Sequence, residues 1–392
     1  MTRRLAMWAL LLAALALAPL LFSKGFAISL LCQTGILVIF ALSYNMQLGQ
    51  TGLLSFGHAV YYGLGALFSI HALNLGYVPT PLVPLVGGAA GLVFGLLFGY
   101  VTTRRAGTTF AMITMGIGEM VAACSLMFPA FFGGEAGVSG NRALREPIAG
   151  LTFGPQIQVY YLVALWLVVC MIAMHLITRT PLGRIANAVR DNPERAQFVG
   201  YDPQAVRFHM VALSGLFAGI AGGLAAVNYE IVSAESLSAL TSGQVLLATF
   251  LGGVGFFAGP VVGAIVVTLM STVLAAYTQA WPFYFGTLFL VMVLFAPGGL
   301  ASLAVLQKRL WEAGALREAF AVYARLAIPV AFAVGAAVLA VEMTYRGVRT
   351  PGAWLGAAAV LVVASWATRW TWMRSRDRWA VASTALEAKA RA

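Results

Sequence analysis

The chain has 392 residues, 61% of them hydrophobic and 9% charged, with a net charge of +11 and a mean hydropathy of +0.88. Soluble globular chains carry about 25% charged residues, so this composition excludes a water-soluble domain and points to an all-α protein of the lipid bilayer. The basic excess marks cytoplasmic loops rather than a nucleic-acid surface. Cys32, Cys124 and Cys170 all fall inside apolar runs and provide neither a disulfide framework nor metal-ligand spacing.

In chain order, Arg3 and Arg4 precede an apolar run that ends at Phe22. Ala16-Leu17-Ala18 has the form of a leader cleavage site, but Pro19 directly after it opposes cutting, so the segment is read as a retained first span. Spans are predicted at 5–22, 26–46, 54–75, 82–102, 108–128, 159–178, 207–229, 238–252, 258–278, 283–301, 327–345 and 352–371, with 238–252 short enough to be re-entrant. This even count puts both termini on one side. Arg3/Arg4, Arg104/Arg105, the arginines of the 179–207 loop, Lys308/Arg309/Arg317/Arg325 and Arg374/Arg376/Arg378 share that side, which the positive-inside rule makes the cytoplasm.

Four features stand out along these spans. Tyr44–His58 sets amides, hydroxyls and three glycines among apolar residues. It reads either as a broken helix lining a wet cavity, with Asn45, Gln47, Ser55 and His58 toward a solute, or as a turn between spans. Glycines recur every fourth residue at Gly91/Gly95/Gly99, Gly215/Gly219/Gly223 and Gly259/Gly263, a pattern for close helix–helix approach inside the chain. Glu119 lies in the middle of the span 108–128, where a carboxylate costs about 2.5 kcal/mol or more; it faces a solute pathway or bonds to a neighbouring helix. Phe132–Gly140 is glycine-rich and external, and reads as a flexible loop that receives a ligand or merely connects spans.

The longest polar run is Arg179–Asp202. Asn192 suits a helix N-cap, Pro193 the first helical position and Gly200 the residue just past the end, while Glu194 complements the helix dipole. A short helix over Pro193–Val199 follows. Ala196 and Val199 share one face with Phe198 close by, and Arg190, Glu194, Arg195 and Gln197 dress the rest. Held between two spans on the cytoplasmic side, this helix either docks a soluble partner or is a solvated loop. Residues 302–326 read as an amphipathic linker, and 327–392 as two further spans with a basic, aromatic tail (Arg369, Trp370, Trp372, Arg374) suited to the bilayer interface.

No catalytic constellation emerges. The histidines, His58, His71, His175 and His209, lie on separate segments, and none of Lys24, Lys308 and Lys389 is followed by Ser or Thr, so no phosphate-cradling Walker A loop exists. Gly252-Gly253-Val254-Gly255 lacks the preceding strand and the following acidic residue of a dinucleotide site. The chain is therefore expected to be no enzyme and to hold no metal or cofactor.

Taken together, four segments carry a resemblance. YNMQLGQTGLLSFGHAVYYGLGA, GRIANAVRDNPERAQFVGYD, LGGVGFFAGPVVGA and FGTLFLVMVLFAPGGL occur in that order over about residues 26–301. They resemble the signatures of permease subunits of branched-chain amino-acid ABC importers of the LivM type. The resemblance implies a type II ABC importer permease fold with about ten core transmembrane helices, here followed by two extra C-terminal helices. It places the permease domain at 1–301 in a bacterial inner membrane, while 302–326 and 327–392, which have no counterpart in the family, are read as a cytoplasmic linker and a two-helix extension. It implies a sister permease, two ABC ATPase subunits and a solute-binding protein as partners, and a loop between the sixth and seventh spans that contacts the ATPase. Gly183, Arg184, Arg190, Asn192, Pro193, Glu194, Ala196 and Gly200 become the coupling residues, with Ala196 and Val199 seated in a groove of the ATPase. Two departures stand out: Phe132 rather than Thr precedes Gly133-Gly134, and Ala296 rather than Arg precedes Pro297. Urea, amides, aromatic acids or sugars are alternative substrates, and an ion-coupled secondary transporter is the alternative mechanism.

Overall fold

The computed structural model describes residues 2–22, 24–143, 152–296, 298–347 and 350–391, with side chains over 8–22, 24–143, 152–296, 298–315, 317–347 and 350–376. The helices are α1 (Thr2–Leu21), α2 (Gly25–Thr51), α3 (Ala59–Leu75), α4 (Val83–Thr102), α5 (Thr108–Met127), α6 (Pro129–Phe132), α7 (Gln156–Arg179), α8 (Pro181–Asp191), α9 (Pro193–Phe198) and α10 (Pro203–Tyr229). They continue as α11 (Ala239–Gly252), α12 (Gly259–Thr268), α13 (Ala275–Tyr277), α14 (Trp281–Phe295), α15 (Gly299–Glu312), α16 (Leu316–Tyr345) and α17 (Pro351–Arg391). Two short antiparallel strands, β1 (Val138–Ser139) and β2 (Ile231–Val232), pair Val138 with Val232 and Ser139 with Ile231.

Among the described residues, eight helices are long and apolar enough to cross a membrane, or nine if the pair α14 and α15, bent by 48°, makes one span. Trp8–Leu21, α3 and α11 are apolar but shorter. Every expected span thus has a helical counterpart, and the difference lies in length: three are short and one is bent. The stretch 302–326, expected as a linker, is mostly helical, because α15 runs to Glu312 and α16 starts at Leu316.

The chain divides into two compact units, Met1–Leu269 and Met270–Ala392. In the first, α10 is the central helix and packs on α2, α3 and α4. Its glycines explain how. A methyl group on Gly219 would collide with the Gly87 carbonyl, and one on Gly91 with the Gly215 carbonyl, so only bare backbone permits this α4–α10 approach. The expected glycine rows therefore serve packing within the chain. Tight backbone contact substitutes here for the hydrophobic drive that lipid removes. β1 and β2 tie the segment after α6 to the α10–α11 connection. Gly133, Gly134 and Gly137, with φ of 78°, 62° and 73°, turn that segment back on itself, so the loop expected to be flexible is pinned.

The second unit contains α14, α15, α16 and α17. Glu342 of α16 accepts hydrogen bonds from the Thr278 hydroxyl at 2.5 Å and the Tyr284 hydroxyl at 3.1 Å, and Arg346 lies 3.4 Å from its other oxygen. These bonds fasten α16 to the start of α14. Leu310, Ala315 and Ala319 form a small core where α15 meets α16. Trp366 stacks on Trp370, and the Arg374 guanidinium sits 3.7 Å above the Trp370 ring, a cation–π contact fitting an interfacial anchor.

Candidate functional site

Two helices, not one, build the elbow between α7 and α10. The Thr180 hydroxyl caps α8 by accepting from the Gly183 N–H, and Pro181 occupies its first turn. Gly183 is buried, and a side chain there would meet the Ile177 carbonyl at 2.5 Å, so glycine allows α8 to fold back on the end of α7. Gly183, Ala186 and Val189 form the inward stripe of α8, while Arg184 is exposed. Sequence reading missed α8 as a separate helix. Thr180-Pro181 followed by this stripe is the signal that reveals it.

The second helix of the elbow is α9, capped at both ends. Asn192 Oδ1 accepts from the Arg195 N–H at 2.9 Å. At the other end Gly200 has φ of 94°, its N–H bonds the Gln197 carbonyl at 2.9 Å, and the Tyr201 N–H bonds the Ala196 carbonyl at 3.1 Å. This is a Schellman closure. Asp202 then caps α10 by accepting from the Gln204 N–H at 2.9 Å. Pro193 and Glu194 fill the first turn of α9, with Glu194 exposed. The facing of the helix differs from expectation. Ala196 is only 6% exposed and turns toward the body, so it offers no surface to a partner. Phe198, 91% exposed, together with Val199 and Tyr201, forms the apolar knob instead.

Arg190 is exposed, yet its guanidinium reaches back to the body. Its Nη1 donates to the Gly49 carbonyl of α2, and its Nε to Asp191 Oδ1 at 2.9 Å. Its aliphatic stem covers Gly52, where a methyl group would lie 3.0 Å from Arg190 Cγ. Arg190 therefore locks the elbow to the end of α2.

At that point α2 gives way to the segment 52–58. The break is shorter than the expected 44–58, since α2 stays helical to Thr51 and ends on Gly52 with φ of 70°. Asn45 and Gln47 lie on α2, and they, Ser55 and His58 are all buried. His58 is walled by Phe40, Tyr44 and Tyr61, with ring centroids 5.4, 5.1 and 5.6 Å away. The Ser43 hydroxyl proton goes to the Phe40 carbonyl at 2.7 Å, so His58 Nε2 is the donor in its 3.0 Å bond to Ser43 Oγ. Ser214 of α10 donates to the Ser43 carbonyl at 2.7 Å, and Tyr44 donates to the Ser55 carbonyl at 2.9 Å. Irregular backbone survives at membrane depth only when enclosed in this way. These four residues are thus enclosed around the joint between α2 and α3, with Asn45 Oδ1, both Gln47 amide atoms, Ser55 Oγ and His58 Nδ1 buried and unpaired among the described residues.

The same segment seats α5. The Phe56 N–H donates to Thr114 Oγ1 at 3.2 Å, and a methyl group on Gly57 would collide with the Thr114 carbonyl. With Phe110, Ala111, Thr114, Val121 and Ser125 buried against the body, the opposite face of α5 is left outward. That face carries Met112, Met115, Gly116, Glu119, Met120 and Ala123, all exposed. Glu119 makes no hydrogen bond or ion pair among the described residues, so the structure separates it from Asn45, Gln47, Ser55 and His58.

Near the C-terminal end of α10, Arg142, 7% exposed, donates to five acceptors: the carbonyls of Val227 and Asn228 at 3.0 Å, Phe153 at 2.8 Å, Gly154 at 3.2 Å, and Gln156 Oε1 at 3.0 Å. Its backbone N–H donates to Glu230 Oε1 at 2.8 Å. Arg142 pins the segment after β1 to the end of α10, a role that its sequence neighbours do not announce.

Residues 26–297 match the family described as the permease component of branched-chain amino acid transport systems. The chain is 30% identical over 323 residues to the high-affinity branched-chain amino acid transport system permease protein LivM of Salmonella typhimurium, covering 76% of this chain and 75% of the relative. It is also 30% identical over 325 residues to LivM of Escherichia coli, with the same coverage. The fructose import permease protein FrcC of Rhizobium meliloti is 26% identical over 204 residues, which is 49% of this chain and 55% of that protein. No solved structure matches.

Proposed function

Because this chain belongs to the permease family of branched-chain amino acid transport systems, we propose that it imports branched-chain or other hydrophobic amino acids using ATP hydrolysed by separate subunits. In this reading it catalyses no reaction of its own. It pairs with a sister permease, two ABC ATPase subunits and an external solute-binding protein in a bacterial inner membrane, with both termini cytoplasmic. The fructose-permease likeness covers half the chain and carries less weight.

The observation that carries the mechanism is the doubly capped elbow with its exposed apolar knob. Phe198 and Val199 seat in a groove of the ATPase, and Arg184, Glu194, Arg195 and Gln197 surround them with polar contacts. Asn192, Pro193 and Gly200 keep α9 stiff enough to transmit a push, and Gly183 sets the angle of α8. Contacts then run from Arg190 to Gly49 and Gly52, and through Phe56 and Gly57 of the segment 52–58 to Thr114 of α5. Closure of the ATPase pair moves the elbow, and this contiguous chain re-aims α5, a rigid-body alternation between two access states. Asn45, Gln47, Ser55 and His58 serve as the joint of that movement, and Glu119 faces the pathway. The extension 302–392 buttresses α14.

The test is ATP-driven uptake by the reconstituted transporter. Phe198→Asp should abolish uptake while leaving membrane insertion and basal ATP hydrolysis in place. Uptake at the wild-type rate would remove the coupling assignment. Uptake that persists without ATPase subunits but collapses with the membrane potential would replace it with ion coupling.

A further inference from the structure

The outward face of α5 has a composition that lipid does not explain. Glu119 stands at mid-span, exposed and without a partner among the described residues, and a carboxylate at that depth requires water or a cation. Around it the residues are not random. Gly116, one turn before, has nothing within 4 Å of where a side chain would begin, and Ala123 is one turn after. These small neighbours leave the carboxylate reachable from the side. Met112, Met115 and Met120 share the exposed face. Methionine is flexible and polarisable, and it adapts to aliphatic groups of differing shape. The opposite face of α5 is anchored by Thr114 and Gly118 against Phe56 and Gly57, which fixes the orientation.

Resting on the proposed function, we propose that this face lines a water-filled conduit and that Glu119 is a substrate-binding residue, accepting the α-ammonium of a hydrophobic amino acid whose side chain lies on the methionines. The pairing matches charge to charge: the ammonium group is the one cation that every such solute shares. A carboxylate for the ammonium and methionines for a variable aliphatic side chain suit a permease that takes several related amino acids.

The experiment uses the complete reconstituted transporter with its solute-binding protein at saturation. Glu119→Gln should lower leucine uptake at least tenfold at wild-type levels of membrane insertion, and Glu119→Asp, which keeps the charge, should retain most of it. In a Cys124→Ala background, Glu119→Cys should react with a hydrophilic, membrane-impermeant thiol reagent at least tenfold faster than Leu165→Cys, an exposed position on α7. Rapid labelling together with the charge-dependent uptake supports the proposal. Uptake by Glu119→Gln within twofold of wild type overturns it. So does labelling at 119 no faster than at 165, the result expected if the face were sealed against the sister permease or lipid. Wild-type vesicles that carry no hydrophobic amino acid overturn the underlying function as well, whereas carrying wild type with an indifferent Glu119→Gln overturns this inference alone.

Discussion

Substitution of Gly200 isolates the stiffness of the elbow from every other effect. The residue has φ of 94°, and no atom lies within 4 Å of the space a side chain would enter. Steric collision is therefore absent, and the cost of Gly200→Ala is that of holding an L-residue in left-handed backbone, about 1–2 kcal/mol. Reduced freedom of the unfolded chain returns about 0.4–1 kcal/mol, leaving roughly 1 kcal/mol. Asn192→Ala at the other end removes the bond to the Arg195 N–H, a loss of about 1 kcal/mol. Since about 1.4 kcal/mol is a factor of ten, each change should lower the ratio of intact to unravelled α9 about fivefold, and the two together about thirtyfold. Gly200→Asn should cost least, because asparagine tolerates this backbone, and Gly200→Val most. The assay is transport per ATP hydrolysed in proteoliposomes. The coupling ratio should fall in the order Gly, Asn, Ala, Val, with insertion and basal hydrolysis preserved. A ratio independent of the residue at 200, or one following side-chain volume, would refute the reasoning.

Three further outcomes follow from other contacts. Gly57→Ala should force α5 off the Thr114 contact and lower the melting temperature of detergent-purified protein, at a cost of about 1–3 kcal/mol; an unchanged melting temperature contradicts that close approach. Arg142→Ala removes five donated hydrogen bonds and strands buried carbonyls, so it should destabilise the outer segment by about 3 kcal/mol or more and expose 138–143 to protease; wild-type protease resistance contradicts the pin. Arg190→Ala should leave ATPase binding intact but uncouple hydrolysis from uptake, because it cuts the tie between the elbow and Gly49; retained coupling would break the proposed contact chain.

The parts legible in the sequence are those with local causes. Apolar run length located the spans, and Asn192, Pro193 and Gly200 announced α9 because capping is settled within a few residues. The four-residue glycine spacing announced close packing, although only the fold shows that α4 meets α10. What escaped depends on distant neighbours. Asn45 and Gln47 looked like pathway groups, yet polar side chains also remain on an unbroken helix when other elements enclose them. Arg142 bonds mostly to backbone carbonyls of remote segments, which leave no mark in side-chain identity. The inward turn of Ala196 follows from the Schellman closure and the packing of α9, not from spacing on a helical wheel.

One measurement bears most directly on the account: a photo-crosslinking amino acid placed at Phe198 in the assembled transporter. The elbow predicts a covalent adduct with the ATP-hydrolysing subunit, strengthened when nucleotide closes the ATPase pair. Adducts confined to lipid, or reaction of that position with reagents confined to the external face, would contradict it.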